Sequence, residues 1–317
     1  MTFPIDYYNA YSNLLNENSK IFVTNTTQRL ERILNKRFSN WITSDFLDFE
    51  KFENKIKDLT LTARIHLLGI VKRYLKYKKQ DNTIIFRKYK HKINHLYDEL
   101  NSNTNKNKKT KKEKEHWISY KELQEKYISN IPKMKDYGYT KFRNYMILGW
   151  YILQIPVRLS NIQLMDYIEP DTQLLKNIVD KTKNYITKIN GKYNICYNNF
   201  KTKSNLGQLN FTIDNPHLIN IIDTYIKKFK IPVNKQFLYS NLHLRESKMC
   251  SITVGYAVTK IVKELTGIDK ITVNSIRHSF LTEYYKQTRT IDEKQHTANR
   301  MGQFYHVNMA DYYQKLD

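Results

Sequence analysis

The residues of this chain best suited to chemistry are two arginines, a lysine and a pair of tyrosines, spread over its second half. They stand in Pro156-Val157-Arg158-Leu159-Ser160-Asn161-Ile162, in Phe200-Lys201-Thr202-Lys203, in Asn274-Ser275-Ile276-Arg277-His278-Ser279-Phe280, and in Met301-Gly302-Gln303 followed by Tyr312-Tyr313. Phosphodiester transfer needs a nucleophile, neutralisation of charge on the non-bridging oxygens and a proton for the leaving oxygen. Arginine suits the second task, because its planar fork gives two charge-assisted hydrogen bonds to a phosphate and keeps its proton. A tyrosine phenol can be the nucleophile, conserving the bond energy in a phosphotyrosine. A lysine on a hairpin can protonate the leaving hydroxyl. Taken singly, each has a plain structural alternative. Arg158 can be a snorkelling surface residue, Arg277-His278 a capping and packing pair, Lys201 one lysine among many, and Tyr312 and Tyr313 two of 25 tyrosines. The ordered combination carries the signal.

Bulk properties agree with a polyanionic partner. Lys plus Arg number 53 against 30 Asp plus Glu, a formal net charge of +23. Basic side chains on a nucleic acid release condensed counterions, so such an excess favours it. An AT-rich coding bias, visible in the abundance of Lys, Asn, Ile and Tyr, raises lysine for unrelated reasons. The two cysteines, Cys196 and Cys250, show no pairing or zinc spacing, which reads as a reduced, intracellular protein. No apolar run approaches a membrane span. Met1-Thr2-Phe3-Pro4-Ile5-Asp6 lacks the basic and apolar regions of a secretory leader. His91-x-x-x-His95 has the spacing of a helical metal pair but no neighbouring glutamate, Lys92 standing there. With no clustered Asp/Glu set either, neither metal nor cofactor is expected.

The elements that must position these residues fall into two parts. The stretch from Asn101 to Glu115 contains no apolar residue and is expected to be an extended, exposed linker. It separates a segment 1–100 from a segment 117–317, with 101–116 as the basic linker. The first segment reads as a helical bundle. Leu30, Ile33, Leu34 and Phe38 follow a cap at Thr26-Thr27; Phe49, Phe52 and Ile56 form a second stripe; Ile65, Leu68 and Leu75 a third, capped near Thr60; Ile93, Leu96, Tyr97 and Leu100 a fourth. Arg64, Lys72, Arg73, Lys76, Arg87, Lys88, Lys90 and Lys92 gather on the last two helices, as a basic side for DNA or as an ordinary solvated face. The second segment opens with a capping box at Ser119 and Glu122. A largely apolar helix over 141–154 follows, closed by Pro156. Strands over 185–190 and 192–198 meet at Asn190-Gly191, a strong hairpin signal, and a third strand spans 208–213 after a turn at Ser204–Gly207. Helices are predicted over 216–229, 252–266, 273–287 and about 308–315. The fold class is mainly α with a small antiparallel β-sheet.

The combination resembles the tyrosine recombinase (phage-type integrase) family. That family carries an arginine in a pattern like R-[IL]-S-x-[LI], which Arg158-Leu159-Ser160-Asn161-Ile162 matches, with Asn161 where an acidic residue is usual. Its lysine lies between the second and third strands of a meander, often as Lys-Thr; Lys201-Thr202 matches, with Lys203 the alternative. Its second arginine sits in H-x-x-R-H-[ST]-F, matched by Arg277-His278-Ser279-Phe280 but with Asn274 at the first position. Its next box is usually L-G-H, with the nucleophile nine residues beyond the histidine; here Met301-Gly302-Gln303 leads to Tyr312, and one extra loop residue would select Tyr313. Asn274 and Gln303 can hydrogen-bond a phosphate oxygen, but neither is a general base at neutral pH.

The resemblance implies a helical core-binding domain joined to a recombinase catalytic domain and clamped around double-stranded DNA. It also implies assembly as a homo-oligomer, a tetramer on DNA in the family, metal-independent strand transfer through a 3′-phosphotyrosine, and a site built from Arg158, Lys201, Asn274, Arg277, Gln303 and Tyr312. Arg64, Lys72, Arg73, Lys76, Arg87, Lys88 and Lys203 would contact DNA. The composition and the lysine-rich linker resemble integrases of eukaryotic viruses and their satellite elements. A type IB topoisomerase would use the same chemistry, and a catalytically degraded DNA-binding regulator would account for Asn274 and Gln303. The isolated segment 1–100 is expected to be helical and to bind duplex DNA with strong salt dependence, because phosphate contacts release counterions. A fluorescence-anisotropy titration that finds no binding even at low salt would remove the core-binding assignment.

Overall fold

The computed structural model describes residues 17–37, 43–104, 114–163, 165–168, 182–241 and 249–303. The chain divides into two compact units, Met1–Lys106 and Asn107–Asp317. The first is helical: α1 (Glu17–Leu34), α2 (Phe49–Ile56), α3 (Leu61–Tyr77) and α4 (Ile84–Thr104), with a 3₁₀ turn at Thr43–Phe46. Asp48 caps α2 by accepting from the Lys51 N–H at 3.0 Å, and Thr60 caps α3. Leu30, Phe46, Phe52, Ile56, Leu68, Val71, Tyr89 and Leu96 form the core of this unit, and the Tyr89 hydroxyl donates to the Phe46 carbonyl.

Two expectations need correcting here. Thr26-Thr27 does not cap α1 but lies inside it. The Thr26 hydroxyl donates back to the Phe22 carbonyl at 2.8 Å, so a threonine that could have capped a helix is satisfied within one. Residues 101–104 are not extended but continue α4. A helix already nucleated gains a hydrogen bond with each added residue at little further cost. Lys114 and Glu115 are likewise helical and His116 stands in a turn, not an extended strand, while 105–113 and Phe38 lie outside the described residues.

In the second unit, α5 (Tyr120–Ile128) leads through a 3₁₀ turn at Ile131–Asp136 to α6 (Tyr139–Ile152), then to α7 (Leu159–Gln163), β1 (Met165–Tyr167), β2 (Asn184–Ile189) and β3 (Lys192–Tyr197). A single helical turn, α8 (Lys203–Leu206), precedes β4 (Leu209–Ile213), followed by α9 (Pro216–Phe229), β5 (Lys235–Gln236), α10 (Ser251–Thr266), α11 (Val273–Tyr284) and α12 (Ile291–Arg300). α6 is buried on all sides from Phe142 to Ile152, its Arg143 and Asn144 included, as befits a central helix, and it packs against α5, α9, α10 and α11.

The sheet order is β4-β3-β2-β1-β5. The expected antiparallel meander is β2-β3-β4. β2 and β3 turn at Asn190-Gly191, both residues with positive φ, 50° and 78°, as a two-residue I′ hairpin requires. β1 extends this sheet in parallel with β2, and β5 pairs antiparallel with β1, making the sheet mixed. The predicted last helix at 308–315 lies outside the described residues. Among those residues no helix is long and apolar enough to cross a membrane.

Gly149 in α6 has no room for a side chain, because an added Cβ would overlap the Tyr127 hydroxyl, which is held by the Tyr145 carbonyl at 2.9 Å. Gly149→Ala is expected to destabilise the second unit by about 1–3 kcal/mol, the cost of overpacking a core. Gly138→Ala, where a Cβ would meet nothing within 4 Å, serves as the control in urea denaturation.

Candidate active site

Arg158 stands between two buried anchors, Val157 and Ile162, each stabilising its position by about 1.5–3 kcal/mol of apolar burial. The chain entering this turn leaves α6, whose last carbonyls have no partners within the helix. The Tyr120 hydroxyl donates to that end, at 2.9 Å from the Ile152 carbonyl and 3.0 Å from that of Gln154. Gln124 donates to the same Ile152 carbonyl. Arg158 itself is half-buried; its Nε is sealed from solvent with no partner, and no carboxylate pairs with it among the described residues.

Arg277 lies in α11, behind a capping box formed by Thr272 and Ser275. It is 1% exposed, and its Nη2 donates to the Met301 carbonyl at 3.3 Å. The two residues beyond His278 fasten α11 to α5: the Ser279 hydroxyl donates to the Ile118 carbonyl at 2.6 Å, and the Phe280 ring meets Tyr120 edge-on at 5.1 Å. Tyr120 thus supports both arginines, one through its hydroxyl and one through its ring.

Met301-Gly302-Gln303 is the C-terminal cap of α12. The Gly302 N–H donates to Asn299 and the Gln303 N–H to Ala298, with Gly302 at φ 66°, the Schellman arrangement that favours glycine. Gln303 is 1% exposed, and neither its amide oxygen nor its amide nitrogen has a partner among the described residues. A buried amide left unsatisfied is costly, so Gln303 is a polar group held ready in a dry place.

The lysine turn joins this cap. Thr202 donates its hydroxyl to the Gly302 carbonyl at 2.7 Å. Beside it Lys201 is exposed, with no ion pair among the described residues; Lys203 is half-buried at the start of α8. On the other side, Asn184 ties the lysine turn to the Arg158 turn, donating to the Asn161 carbonyl at 2.8 Å and accepting from the Asn199 N–H at 2.8 Å. A continuous path of hydrogen bonds and short backbone links therefore runs from Arg158 through Asn161, Asn184, Asn199, Thr202, Gly302 and Met301 to Arg277.

Of the sequence-predicted site residues, the structure joins the segments of Arg158, Lys201, Arg277 and Gln303. Asn274 is exposed on the turn before Arg277, with no hydrogen bond tying it to the others. Tyr312, Tyr313 and His306 lie outside the described residues. Asn161, where the resemblance has an acid, is wholly buried, and neither side-chain polar atom has a partner. In the first unit, Arg73, Lys76, Arg87 and Lys88 are exposed. Lys72 lies over the Phe86 ring at 5.9 Å. Arg64 is engaged by Glu53 at 3.1 Å, a carboxylate that it shares with Lys92, so its guanidinium is tied inside the unit. His91 and His95 are exposed, and no group of three or more metal-binding side chains occurs among the described residues.

Sequence reasoning missed Asn184, Tyr120, Arg300 and the helix that carries Gln303. Thr290-x-x-Glu293 is a capping box and could have revealed α12; nothing local marks Asn184. Arg300 lies over the Phe211 ring at 4.8 Å with a buried, unpartnered Nε. Burial lowers its pKa, while Asp214 and Tyr197 act in the opposite sense. Burial also raises the phenol pKa values of Tyr151 and Tyr197, with the Arg277 charge opposing the shift at Tyr151. Both phenols therefore stay neutral beside the arginines.

No family model matches this chain, and no curated protein matches it. Among solved structures it is similar to one titled "Crystal structure of XerA recombinase", with 13% identity, a TM-score of 0.40, and coverage of 98% of this chain and 91% of that one. An overlay at that level decides nothing about activity, and the site has to stand on its own geometry.

Gly302→Ala would force a side chain into the left-handed region, although its Cβ would meet Phe200, 3.6 Å away, only in ordinary contact. It is expected to cost about 1–2 kcal/mol, read as a lowered Tm. An unchanged Tm would show that the cap does not depend on this backbone conformation.

Proposed function

We propose that the protein is a site-specific DNA recombinase that cleaves and rejoins DNA strands through a covalent 3′-phosphotyrosine. The observation that carries the reading is the convergence in one unit of four separate sequence segments, those of Arg158, Lys201, Arg277 and Gln303, linked by the hydrogen bonds at Asn184, Thr202 and Met301. Each supplies a function that phosphoryl transfer requires, and Arg277 and Gln303 are both buried, with Arg277 bonded to the backbone two residues before Gln303.

In this reading Arg158 and Arg277 neutralise the phosphate as charge grows in the transition state. Gln303 donates its unpartnered amide to a non-bridging oxygen. Lys201, exposed and unpaired, protonates the leaving 5′ oxygen. Tyr312 attacks phosphorus, being nine residues beyond Gln303. Gln303 cannot remove the phenolic proton, so that proton passes to water. Double-stranded DNA is the substrate, with Arg73, Lys76, Arg87 and Lys88 of the first unit as further contacts. Assembly of several copies on DNA belongs to the same proposal, as does the association with a viral or satellite element, which rests on composition alone.

The test is to incubate the protein with suicide DNA carrying the ends of its element and look for a protein–DNA adduct. An adduct in excess EDTA, mapped by mass spectrometry to Tyr312, is the expected result, and Tyr312→Phe should abolish it while Tyr313→Phe retains it. Arg158→Ala and Arg277→Ala should each slow adduct formation by about 10²–10³-fold, as for loss of one transition-state donor, with DNA binding largely kept. Cutting with no adduct on either tyrosine, or an absolute need for magnesium, would defeat the reading. Religation without transfer to a second duplex would make it a topoisomerase instead.

A further inference from the structure

Asn184, the first residue of β2, is wholly buried and uses its full hydrogen-bonding capacity on backbone. Its amide nitrogen donates to the Asn161 carbonyl at 2.8 Å and the Asn199 carbonyl at 3.1 Å. Its amide oxygen accepts from the Asn198 and Asn199 N–H groups at 2.9 and 2.8 Å. An amide has two donors and two lone pairs, and all four are used. The partners are not neighbours in sequence. Asn161 belongs to the turn after Arg158, closed by its own N–H to the Arg158 carbonyl at 3.1 Å. Asn198 and Asn199 immediately precede Phe200-Lys201. Asn161 lies in the short helix α7 and Asn198 and Asn199 in the irregular stretch that follows β3, and this one side chain is bonded to both.

We propose that Asn184 is the positioning residue that holds Lys201 in register with the phosphate-binding Arg158. This rests on the recombinase reading and deepens it, because proton delivery by Lys201 is useful only at the oxygen of the phosphate that Arg158 holds. In the step concerned, the tyrosine oxygen bonds to phosphorus and the bond from phosphorus to the 5′ oxygen breaks. The phenolic proton passes to water, and an ammonium proton of Lys201 goes to the departing oxygen. A lysine displaced by about 1 Å loses on the order of 100-fold in rate. Thr202, donating to Gly302 at 2.7 Å, fixes the other end of the same turn, so that Lys201 is strung between two anchors and only its side chain is free. No other residue type of this size can replace Asn184. An aspartate would accept from the two N–H groups but would set its charge against the Asn161 and Asn199 carbonyls. Alanine would take this partner from four backbone groups, those of Asn161 and Asn198 buried.

The experiment compares two substrates of the full-length protein: ordinary suicide DNA and the same DNA with sulfur in place of the 5′ bridging oxygen. A thiolate leaves without a proton, so the sulfur substrate reports phosphate binding and attack but not lysine acid catalysis. Asn184→Asp is measured beside Lys201→Ala, with Asn184→Ser in its place if the aspartate variant does not fold by circular dichroism. Asn184→Asp is expected to cleave ordinary DNA about 100-fold more slowly than the unaltered protein, and the sulfur substrate within about threefold of it. Equal losses on both substrates would show a merely structural role and overturn the proposal, as would no loss on either. If Lys201→Ala is not itself rescued by sulfur, or the unaltered protein forms no adduct, the recombinase reading fails, and the role of Asn184 falls with it.

Discussion

A guanidinium removed from water has to meet oxygen atoms, and Arg277, almost wholly buried, meets the Met301 carbonyl at 3.3 Å. That carbonyl is available because α12 ends there, its cap turned by Gly302 at φ 66°. Burying a charge costs several kcal/mol unless it is hydrogen-bonded, so α11 and α12 cannot be placed independently. The same cap buries Gln303 and offers its glycine carbonyl to Thr202. One desolvated arginine therefore fixes where the lysine turn approaches.

From that point the second unit is organised by saturation of backbone at irregular places. The end of α6, the turn at Arg158, the turn before Lys201 and the cap of α12 all expose groups that regular structure does not satisfy. Tyr120, Gln124, Asn184 and Thr202 satisfy them. These four side chains touch no substrate in the proposed chemistry, yet they join the elements on which the reacting groups stand. By contrast, Arg158, Gln303 and Arg300 carry buried polar atoms with no partner among the described residues. Satisfied scaffolding around unsatisfied polar groups is what a preorganised anion site requires, since its donors are aimed before the charge develops.

Where the determinants are local, the sequence was readable. Asn190-Gly191 specified its hairpin through the positive φ of both residues, Ser119 and Thr60 marked helix starts, and Asn215-Pro216 opened α9 at the predicted residue. Thr26 misled because a hydroxyl satisfied by the preceding turn leaves the same trace in sequence as a cap. β1 and β5, of three and two residues, exist only through pairing, so no alternation could reveal them. Arg158, Lys201, Arg277 and Gln303 were singled out by spacing and resemblance; the bonds that join their segments left no trace in the sequence. Asn184 is one asparagine in a chain rich in them, and its meaning comes from partners 15 and 23 positions away.

The central claim, that Arg158 and Arg277 act by neutralising one phosphate, is tested most directly by removing the charge from the DNA instead of from the protein. Suicide DNA with a methylphosphonate at the scissile position lacks one negative oxygen, so a lost arginine should matter little. The account predicts that Arg158→Ala and Arg277→Ala each recover on this neutral substrate most of the about 10²–10³-fold loss that they show on the phosphodiester. Losses equally deep on the two substrates would contradict it.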